Sequence, residues 1–431
     1  MSLIEDLMRR SRDVERPFLK GDGQSLSLAA VAAEPPDCGD VAPGDVVALI
    51  GDFDARSIAS LLALVDRGAV IMPLSEASAA QHDYFLKAGR ANLVLRNGRL
   101  ERLSSQPSDH PLLQALRQRG HAGLILFSSG STGLPKAILH DFSTFLARFA
   151  VPRPAWVTLN FLLFDHIGGL NTLFHTMYND GTVIRPSGRT PEAVTQDIRN
   201  HAVELLPATP TFLRLWLLAG LPAPEEMPSL KLITYGTERM DQHTLSLLAA
   251  ALPHVDIRQT YGMSELGILR VRTRERDGLW IQVGGEGVES RMENGELYLR
   301  SSRRMEGYLN APSPFDADGW YPTKDLVECD GEWFRIVGRR DAVINVGGLK
   351  VLPAEVEHAA LMFPGVALAK AYGRENPVTG MHVELICEPA EGKNPDLAAF
   401  SRHLRSLLPP HAVPRRIRMG RVPVGHRCKQ L

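Results

Sequence analysis

The ten residues 127–136, FSSGSTGLPK, combine hydroxyl side chains, glycines and a lysine directly after the apolar run LILF. Glycines let backbone N–H groups approach an anion closely, hydroxyls add donors, and Lys136 supplies a positive charge. Such clusters also mark ordinary surface turns, but a turn gives no reason for three serines, a threonine and a lysine in ten residues. In a Walker loop the lysine follows the second glycine directly. The spacing therefore predicts a phosphate-binding loop of another kind.

Four further stretches carry groups that a nucleotide requires. QTYGMSELG (259–267) has an aromatic ring, a hydroxyl and a carboxylate, and YGTERM (235–240) follows an apolar run. DGWYPTKD (318–325) ends in an aspartate, and GRRDAVINVGG (338–348) carries arginines. A nucleotide needs a ring surface for its base, acceptors for its ribose hydroxyls, donors for its phosphates and a carboxylate for magnesium. Each stretch alone is commonplace, but their joint occurrence predicts a nucleotide site.

The overall composition excludes several other classes of protein. The net charge of the 431 residues is −1, so no basic field indicates a nucleic-acid partner. The four cysteines show no CxxC spacing, which argues against a zinc site or a disulfide scaffold and favours a reducing compartment. The N-terminus does not resemble a signal peptide, and there is no run of about 18 apolar residues. We therefore expect a cytoplasmic protein without a membrane span.

The elements that must position these groups follow an α/β pattern. Short apolar runs at 46–51, 69–74, 124–129 and 231–236 predict buried strands, and helical patterns lie between them, for example over 55–68. Strands that alternate with helices of this length predict parallel sheets.

The pattern changes after about residue 280. Short alternating strands with turn residues between them predict an antiparallel sheet or a small barrel, followed by an α+β unit of about ninety residues. We predict a boundary near Asp341, with an N-terminal ATP- and acyl-binding domain over 1–340 and a C-terminal domain over 341–431.

The chemical stretches resemble those of the adenylate-forming superfamily, which includes acyl-CoA synthetases, nonribosomal-peptide adenylation domains and firefly luciferase. The resemblance runs from roughly residue 45 to the C-terminus. It implies a large N-terminal domain of α/β-layered subdomains plus a small β-barrel, and a smaller, mobile α+β C-terminal domain. It also implies a two-step reaction, in which ATP and Mg²⁺ convert a carboxylic acid to an acyl-adenylate and a thiol then displaces AMP.

The resemblance implies a role for each of several residues. Tyr261 would stack on adenine, Asp325 would bind both ribose hydroxyls, Arg339 would contact the ribose, and Asp341 would be the hinge. Glu265 would hold Mg²⁺ and, with Lys136, act in catalysis. The residues expected to bind ATP are Ser128, Ser129, Gly130, Ser131, Thr132, Gly133, Lys136, Gly236, Thr237, Glu238, Tyr261, Gly262, Ser264, Asp325 and Arg339.

The predicted catalytic lysine is Lys429. In the superfamily a lysine follows a proline by six positions, and Lys429 stands six after Pro423, although Arg427 and Cys428 replace the small residue and glycine that usually precede it. Lys429 is therefore either this catalytic lysine or an ordinary tail residue, and Lys350 is the next candidate for the missing charge. Another departure is Lys324, which replaces the glycine that usually precedes the ribose aspartate.

The acyl pocket is expected around FDHIGGLNTL (164–173). His166 would lie at the pocket wall or would simply be a packed histidine, and Gly168 and Gly169 would leave room for the acyl group, together with Gly262 and Met263. Asp165 is one residue away from the position at which amino-acid-activating domains bind the substrate ammonium, so an amino acid is disfavoured.

Three hypotheses follow for the acceptor and the activity. The first is an acyl-CoA ligase. The second is a ligase that loads the phosphopantetheine of a carrier protein. A group of C-terminal arginines would then provide the surface on which the acidic carrier protein docks. The third is a nucleotide-binding homologue without catalysis. The arginines concerned are Arg402, Arg405, Arg415, Arg416 and Arg418.

Overall fold

The computed structural model describes residues 2–11, 13, 15–34, 38–104, 108–128, 134–285 and 287–424. Within these ranges the chain forms helices α1 to α12 and strands β1 to β26. The helices are α1 (Leu3–Arg10), α2 (Leu28–Ala33), α3 (Ala55–Asp66), α4 (His82–Ala88), α5 (Pro111–Gln118), α6 (Phe142–Ala147), α7 (Ile167–Tyr178), α8 (Pro191–His201), α9 (Pro210–Leu218), α10 (Gln242–Ala251), α11 (Pro353–Leu361) and α12 (Leu397–Leu407).

The strands belong to four sheets. Their bounds are β1 (Pro17–Gly21), β2 (Gln24–Ser27), β3 (Val46–Ile50), β4 (Val70–Leu74), β5 (Leu93–Arg96), β6 (Arg99–Arg102), β7 (Gly123–Phe127), β8 (Ala137–Asp141), β9 (Val157–Leu159), β10 (Thr182–Ile184), β11 (Leu205–Ala208), β12 (Leu232–Tyr235), β13 (Asp256–Gln259), β14 (Tyr261–Met263), β15 (Gly267–Thr273), β16 (Ile281–Gly284), β17 (Val288–Glu293), β18 (Glu296–Ser301), β19 (Gly307–Tyr308), β20 (Tyr321–Asp330), β21 (Trp333–Arg339), β22 (Ile344–Val346), β23 (Leu349–Val351), β24 (Val366–Asn376), β25 (Gly380–Pro389) and β26 (Arg416–Met419).

The first sheet has the order β6-β5-β3-β4-β7-β8-β19. Its central strands β5, β3, β4 and β7 run parallel, and all five residues of β3 are buried, as expected for strands that are covered on both faces. Strand β8 pairs antiparallel with β7. The stretch between them, 128–136, is the predicted phosphate loop, so this loop connects two adjacent central strands.

The second sheet has the order β13-β12-β11-β9-β10-β1-β2 and is parallel apart from β2. Tyr235 at the end of β12 lies opposite Gln259 at the end of β13. Because parallel strands end at the same edge of a sheet, the segments that follow them, 235–240 and 259–267, lie side by side. This places two of the predicted nucleotide stretches next to each other.

The third sheet is antiparallel, with the order β14-β15-β16-β21-β20-β18-β17. Asp325 in β20 lies opposite Arg339 in β21, so two predicted ribose-binding residues are cross-strand neighbours. The described strands pair as an antiparallel sheet, and closure into a barrel stays a prediction.

The fourth sheet has the order β23-β22-β25-β24, with β26 paired to β25. All its strands come after Asp341, and no described strand of the other three sheets does. Helices α11 and α12 pack on one face, where Val356, Phe400 and Leu404 are fully buried. We call residues 344–424 the C-terminal unit and the described residues before Asp341 the N-terminal unit. The predicted domain boundary agrees with this division but stays a prediction.

The predicted α/β fold class is confirmed. The runs at 46–51, 69–74, 124–129 and 231–236 became β3, β4, β7 and β12, and the pattern at 55–68 became α3. Cys329 and Cys387 are free thiols. None of the described helices is long and apolar enough to cross a membrane; the cytoplasmic location stays a prediction.

Candidate active site

A cavity of about 800 Å³ lies where the sheets meet. Residues of the N-terminal unit form most of its wall, and α11 and β24 of the C-terminal unit close one side. Thirteen predicted site residues line it. These are Ser128, Lys136, His166, Thr237, Glu238, Tyr261, Gly262, Met263, Ser264, Glu265, Asp325, Arg339 and Asp341.

The two ends of the phosphate loop are held together at its base. The backbone N–H of Ser128 donates to the carbonyl of Lys136 at 3.1 Å, and the N–H of Lys136 donates to the Ser128 hydroxyl oxygen at 3.0 Å. The predicted phosphate contacts between these ends lie outside the described residues. They are Ser129, Gly130, Ser131, Thr132 and Gly133.

Pro135, near the end of this loop, is fixed by side chains from elsewhere in the chain. The Tyr84 hydroxyl donates to the Pro135 carbonyl at 2.6 Å, and Asn310 Nδ2 donates to the same carbonyl at 3.2 Å. Asn310 Oδ1 also accepts from the N–H of Ala137 at 2.9 Å. The side chain of Lys136 is therefore presented from a firmly held backbone.

Tyr261 and Asp325 form a short polar contact in the cavity wall. The Tyr261 hydroxyl donates to Asp325 Oδ2 at 2.5 Å. Burial raises the pKa of Asp325, although the Tyr261 hydrogen bond and the Arg339 charge act in the opposite direction. Burial, followed by the Asp325 carboxylate, raises the pKa of Tyr261 well above its ordinary value. The predicted adenine and ribose contacts are thus parts of one arrangement.

Arg339 joins the ribose aspartate to the predicted hinge. Its guanidinium lies 3.7 Å from Asp325 Oδ1 and donates from Nε to Asp341 Oδ1 at 3.0 Å. Lys324 Nζ also lies 3.7 Å from Asp341 Oδ2. These cations lower the pKa of Asp341 against the effect of burial. Lys324 has a φ of 62°, a left-handed conformation that favours glycine, which explains why glycine is usual at this position.

Glu265, the predicted metal ligand, is a buried residue of the cavity wall. Its Oε1 accepts a hydrogen bond from the Tyr308 hydroxyl at 2.8 Å, and the ammonium of Lys136 lies 4.8 Å from the centre of the same tyrosine ring. Burial, followed by the Glu265 carboxylate, raises the pKa of Tyr308. Tyr308 therefore connects the two residues predicted to act on the phosphates.

The segment that follows β12 packs closely against the segment that follows β13. A Cβ on Gly236 would lie 2.2 Å from Thr260 Oγ1 and 2.9 Å from its carbonyl oxygen, so only glycine allows this approach. Gly236 itself is not a lining residue, unlike Thr237 and Glu238. Glu238 Oε2 accepts from the Thr211 N–H and hydroxyl at 3.2 and 2.8 Å, which fixes its carboxylate at the cavity wall.

Gly262 and Ser264 shape the turn between β14 and β15. A Cβ on Gly262 would lie 2.5 Å from the Gly267 carbonyl oxygen, so the hairpin packs through the glycine. The Ser264 carbonyl accepts from His140 Nε2 at 2.7 Å. Burial lowers the pKa of His140 to about 4, so this histidine is neutral at ordinary pH and carries its proton on Nε2.

His166 lines the cavity and also caps helix α7. Its Nδ1 accepts from the N–H of Gly168 at 3.0 Å, so both of its proposed roles, wall residue and packed histidine, are compatible with the structure. Gly168 and Gly169 are not lining residues; a Cβ on Gly169 would lie 2.1 Å from the Leu163 carbonyl oxygen. These glycines allow α7 to pack on residues 162–163, and their contact with an acyl group stays a prediction. Asp165 is buried and accepts from the Ser75 hydroxyl at 2.8 Å.

The sequence did not indicate the residues that the C-terminal unit contributes. They lie on α11 and β24, whose apolar patterns suggest only a small core. Lys370 lines the cavity and lies 4.0 Å from Glu357 Oε1, whereas Lys350 on β23 is exposed and is not a lining residue. Lys429 lies outside the described residues. Only the pairing of β24 with its neighbours, which is a long-range property, brings Lys370 to this wall.

The C-terminal arginines do not share one surface. Ile417 packs in the core with α12, so Arg416 and Arg418, which alternate with it along β26, lie on the opposite face of the sheet. Arg402 and Arg405 are exposed on α12 itself. The sheet therefore separates Arg416 and Arg418 from Arg402 and Arg405, so these four arginines do not form one docking surface.

The chain matches the family model described as "AMP-binding enzyme" over residues 38–309, which is more than half of its length. The chain belongs to this family. Its predicted membership of the adenylate-forming superfamily is thereby confirmed, and with it the prediction of a ligase that works through an adenylate.

Two curated relatives illustrate the similarity. A feruloyl-CoA synthase from an Amycolatopsis species is 24% identical over 88% of this chain and 85% of its own length. The fatty acid–[acyl-carrier-protein] ligase MmaC from Mycobacterium marinum is 28% identical over 65% of this chain and 60% of its own length.

Solved structures show the same fold. ATP-bound MatB from Rhodopseudomonas palustris has a TM-score of 0.81 at 20% identity, over 100% of this chain and 97% of the other. The o-succinylbenzoate CoA synthetase MenE from Bacillus subtilis, in complex with its acyl-adenylate intermediate, has a TM-score of 0.78 at 20% identity, over 99% and 96% of the two chains.

Proposed function

We propose that this AMP-binding enzyme activates a carboxylic acid with ATP as its acyl-adenylate and transfers the acyl group to the thiol of coenzyme A. The observation that carries the proposal is the convergence on one cavity of the ends of the phosphate loop, the Tyr261–Asp325–Arg339 arrangement and Glu265. These groups come from two different sheets, and nucleotide recognition is a reason for their meeting.

In the first half-reaction, a carboxylate oxygen of the acid attacks the α-phosphorus of ATP. The bond from that phosphorus to the bridging oxygen breaks, and pyrophosphate leaves with the electron pair. Asp325 would accept hydrogen bonds from the ribose hydroxyls, and Lys136 with the backbone near Ser128 would bind the leaving phosphates. Positioning and charge neutralisation supply most of the catalysis in reactions at phosphorus.

Magnesium fits this site through Glu265. Mg²⁺ commonly takes one or two protein carboxylates and completes its octahedron with phosphate oxygens and water, and one oxygen of Glu265 is held by Tyr308 at the cavity wall. Among the described residues, no group of three or more His, Cys, Asp and Glu side chains forms a protein-only metal site, which agrees with a metal that arrives with the nucleotide. When bound, the ion would offset phosphate charge, and Glu265 would hold it.

In the second half-reaction, the thiol sulfur attacks the carbonyl carbon of the adenylate. The bond to the phosphate oxygen breaks, AMP leaves, and the thiol proton passes to solvent. We expect Asp341 to act as the hinge that lets the C-terminal unit move between the two steps. Its bonds to Arg339 and Lys324 are exposed ion pairs, which contribute little each and are therefore readily exchanged.

The predicted acyl site indicates the chemical class of the acid. The predicted acyl-site residues that line the cavity are His166, Gly262 and Met263. Asp165 is not a lining residue, and its carboxylate accepts from the Ser75 hydroxyl. Asp165 is therefore not placed to pair with a substrate ammonium, so an aryl or alkyl acid is preferred over an amino acid.

The experiment is ATP–pyrophosphate exchange against a panel of acids. The relatives suggest ferulate, coumarate, succinylbenzoate and medium- and long-chain fatty acids as its members. Exchange with one acid class supports adenylation, and CoA-dependent AMP release with that acid supports the ligase. Nucleotide binding without exchange for any acid would instead support a non-catalytic homologue.

A carrier protein is the second candidate acceptor. The similarity to the carrier-protein ligase MmaC and the exposed pair Arg416 and Arg418 favour it. Parallel assays with CoA and with a holo-carrier protein decide between the two acceptors, because only the true acceptor discharges the adenylate rapidly.

A further inference from the structure

Arg214 is a buried arginine that crosses from the N-terminal to the C-terminal unit. It lies on α9 and is only 6% exposed. Its Nε donates to the Ala367 carbonyl at 2.6 Å, and its Nη2 donates to the carbonyls of Leu361 and Val366 at 3.0 and 2.9 Å. Its Nη1 donates to Thr244 Oγ1 at 2.9 Å. One guanidinium therefore binds three backbone carbonyls of the C-terminal unit.

These acceptors make the contact sensitive to orientation. The carbonyl of Leu361 belongs to the last turn of α11, where helix carbonyls lack partners within the helix, and Val366 and Ala367 begin β24. A guanidinium is planar and its donors have fixed directions. All three bonds can form together only when the C-terminal unit has this one orientation.

The surroundings of Arg214 reinforce the contact. Asp241 caps α10 by accepting from the Thr244 N–H at 2.9 Å, and its Oδ1 lies 3.8 Å from Nδ1 of His358 on α11. Burial acts to raise the pKa of Asp241, but the nearby His358 ring, hydrogen bonds from Thr244 and the Arg214 charge lower it. A second contact between the units, Asp241 with His358, thus lies beside the first.

The orientation also sets where the C-terminal tail begins. Val422 is fully buried with Ala367 and Leu368, against Leu215 of α9, and its N–H donates to Glu388 at 2.7 Å. Leu368 lines the cavity. Lys429 follows the last described residue, Val424, by five positions, a span of at most about 18 Å. In this orientation the tail therefore starts beside the cavity.

We propose that Arg214 is a positioning residue that holds the C-terminal unit in the orientation for adenylate formation and must release it before the thiol step. The inference rests on the proposed two-step function. Release breaks the three hydrogen bonds to these carbonyls together. The contact between the units is therefore either fully formed or absent, and it separates the two half-reactions.

The test compares Arg214→Ala with Arg276→Ala. Arg276 is a matched control because its guanidinium also binds three backbone carbonyls, those of Ala249, Leu252 and Val255, at the end of helix α10 within the N-terminal unit. Both variants are assayed for pyrophosphate exchange, for thiolysis of a synthetic acyl-adenylate, and for thermal unfolding.

We expect Arg214→Ala to lower exchange by about tenfold or more while thiolysis changes less than twofold. Arg276→Ala should leave the ratio of the two rates unchanged, whatever it does to stability. Equal loss of both rates in Arg214→Ala, or selective loss of thiolysis, would overturn the proposal.

A measurement that does not depend on catalysis tests this inference separately from the proposed function. Small-angle X-ray scattering of the ligand-free protein should show a larger radius of gyration for Arg214→Ala than for wild type, with no change for Arg276→Ala. An unchanged radius of gyration in Arg214→Ala would overturn the proposal. If the wild type exchanged pyrophosphate with no acid, the proposed function would fail while this measurement would still test the contact between the units.

Discussion

The hydroxyl of Tyr261 lies 2.5 Å from Oδ2 of Asp325, although the two residues are 64 positions apart in the chain. The residue predicted to stack on adenine thus orients the carboxylate predicted to bind the ribose. The other carboxylate oxygen, Oδ1, lies 3.7 Å from the Arg339 guanidinium. Asp325 is therefore already oriented in the protein without nucleotide, which lowers the entropy that binding would otherwise cost.

We expect Asp325→Ala to weaken ATP binding more than acid binding. Removal of this carboxylate leaves the ribose hydroxyls and the Tyr261 hydroxyl without an acceptor, at a cost on the order of 1–3 kcal/mol for each buried group. Calorimetric titration with ATP and with the acid measures both affinities. Tyr261→Phe is the control, since it keeps the ring and the carboxylate and should cost less. An equal loss of both affinities would argue against the ribose assignment.

The local elements of this fold were predictable because their causes are local. The β3, β4, β7 and β12 runs are apolar because their residues are covered on both sides, and α3 begins where Asp54 Oδ1 accepts from the Ser57 N–H. The predicted phosphate loop and the predicted nucleotide contacts could be named because their motifs combine residue types that one ligand would require.

The contacts between distant elements were not predictable. Tyr308 joins Glu265 to Lys136, and Arg214 joins the two units, yet a lone tyrosine or arginine in an apolar helix or a strand carries no local signal. Gly168 and Gly169 are a further case, because the helix packing that they allow had no signal in the sequence, while their contact with an acyl group stays a prediction. Such roles depend on which elements meet, and a single sequence does not encode that in its local pattern.

His140 should make stability depend on pH between about 6.5 and 4. Burial lowers its pKa from 6.5 to about 4 in the folded protein, so in this window the unfolded chain binds a proton that the folded chain does not. Stability therefore falls as pH falls through this range, by up to about 3 kcal/mol at about 1.4 kcal/mol per pKa unit.

The measurement is urea unfolding of wild type and His140→Gln at several pH values. Glutamine can keep a donor to the Ser264 carbonyl but does not titrate, so the variant should lose less stability on acidification than wild type. Parallel pH curves for the two proteins would mean that His140 is not the group responsible.

Asp341→Pro should slow the thiol step and leave adenylation nearly intact. Proline fixes φ, so a pivot that must change its backbone angles would be blocked. Pyrophosphate exchange and acyl transfer are measured separately, with Asp341→Ala as a control that keeps the backbone free. If proline impairs both half-reactions equally, Asp341 is not the hinge.

Lys429→Ala should abolish adenylate formation and spare the thiol step when synthetic acyl-adenylate is supplied. Adenylation brings a carboxylate towards an anionic triphosphate, so an ammonium is needed where the two charges meet, and a long lysine side chain on the C-terminal tail suits that task. The thiol step starts from an adenylate in which this repulsion has gone. Loss of one such electrostatic group typically costs about 10²–10³ in rate.

Lys370→Ala and Lys350→Ala are the control variants for Lys429→Ala. Lys370 lines the cavity from β24, whereas Lys350 is exposed and lies away from the lining. If Lys429→Ala kept near wild-type pyrophosphate exchange, Lys429 would be an ordinary tail residue. A large loss in Lys370→Ala would then assign the missing charge to Lys370, because Lys370, unlike Lys350, lines the cavity.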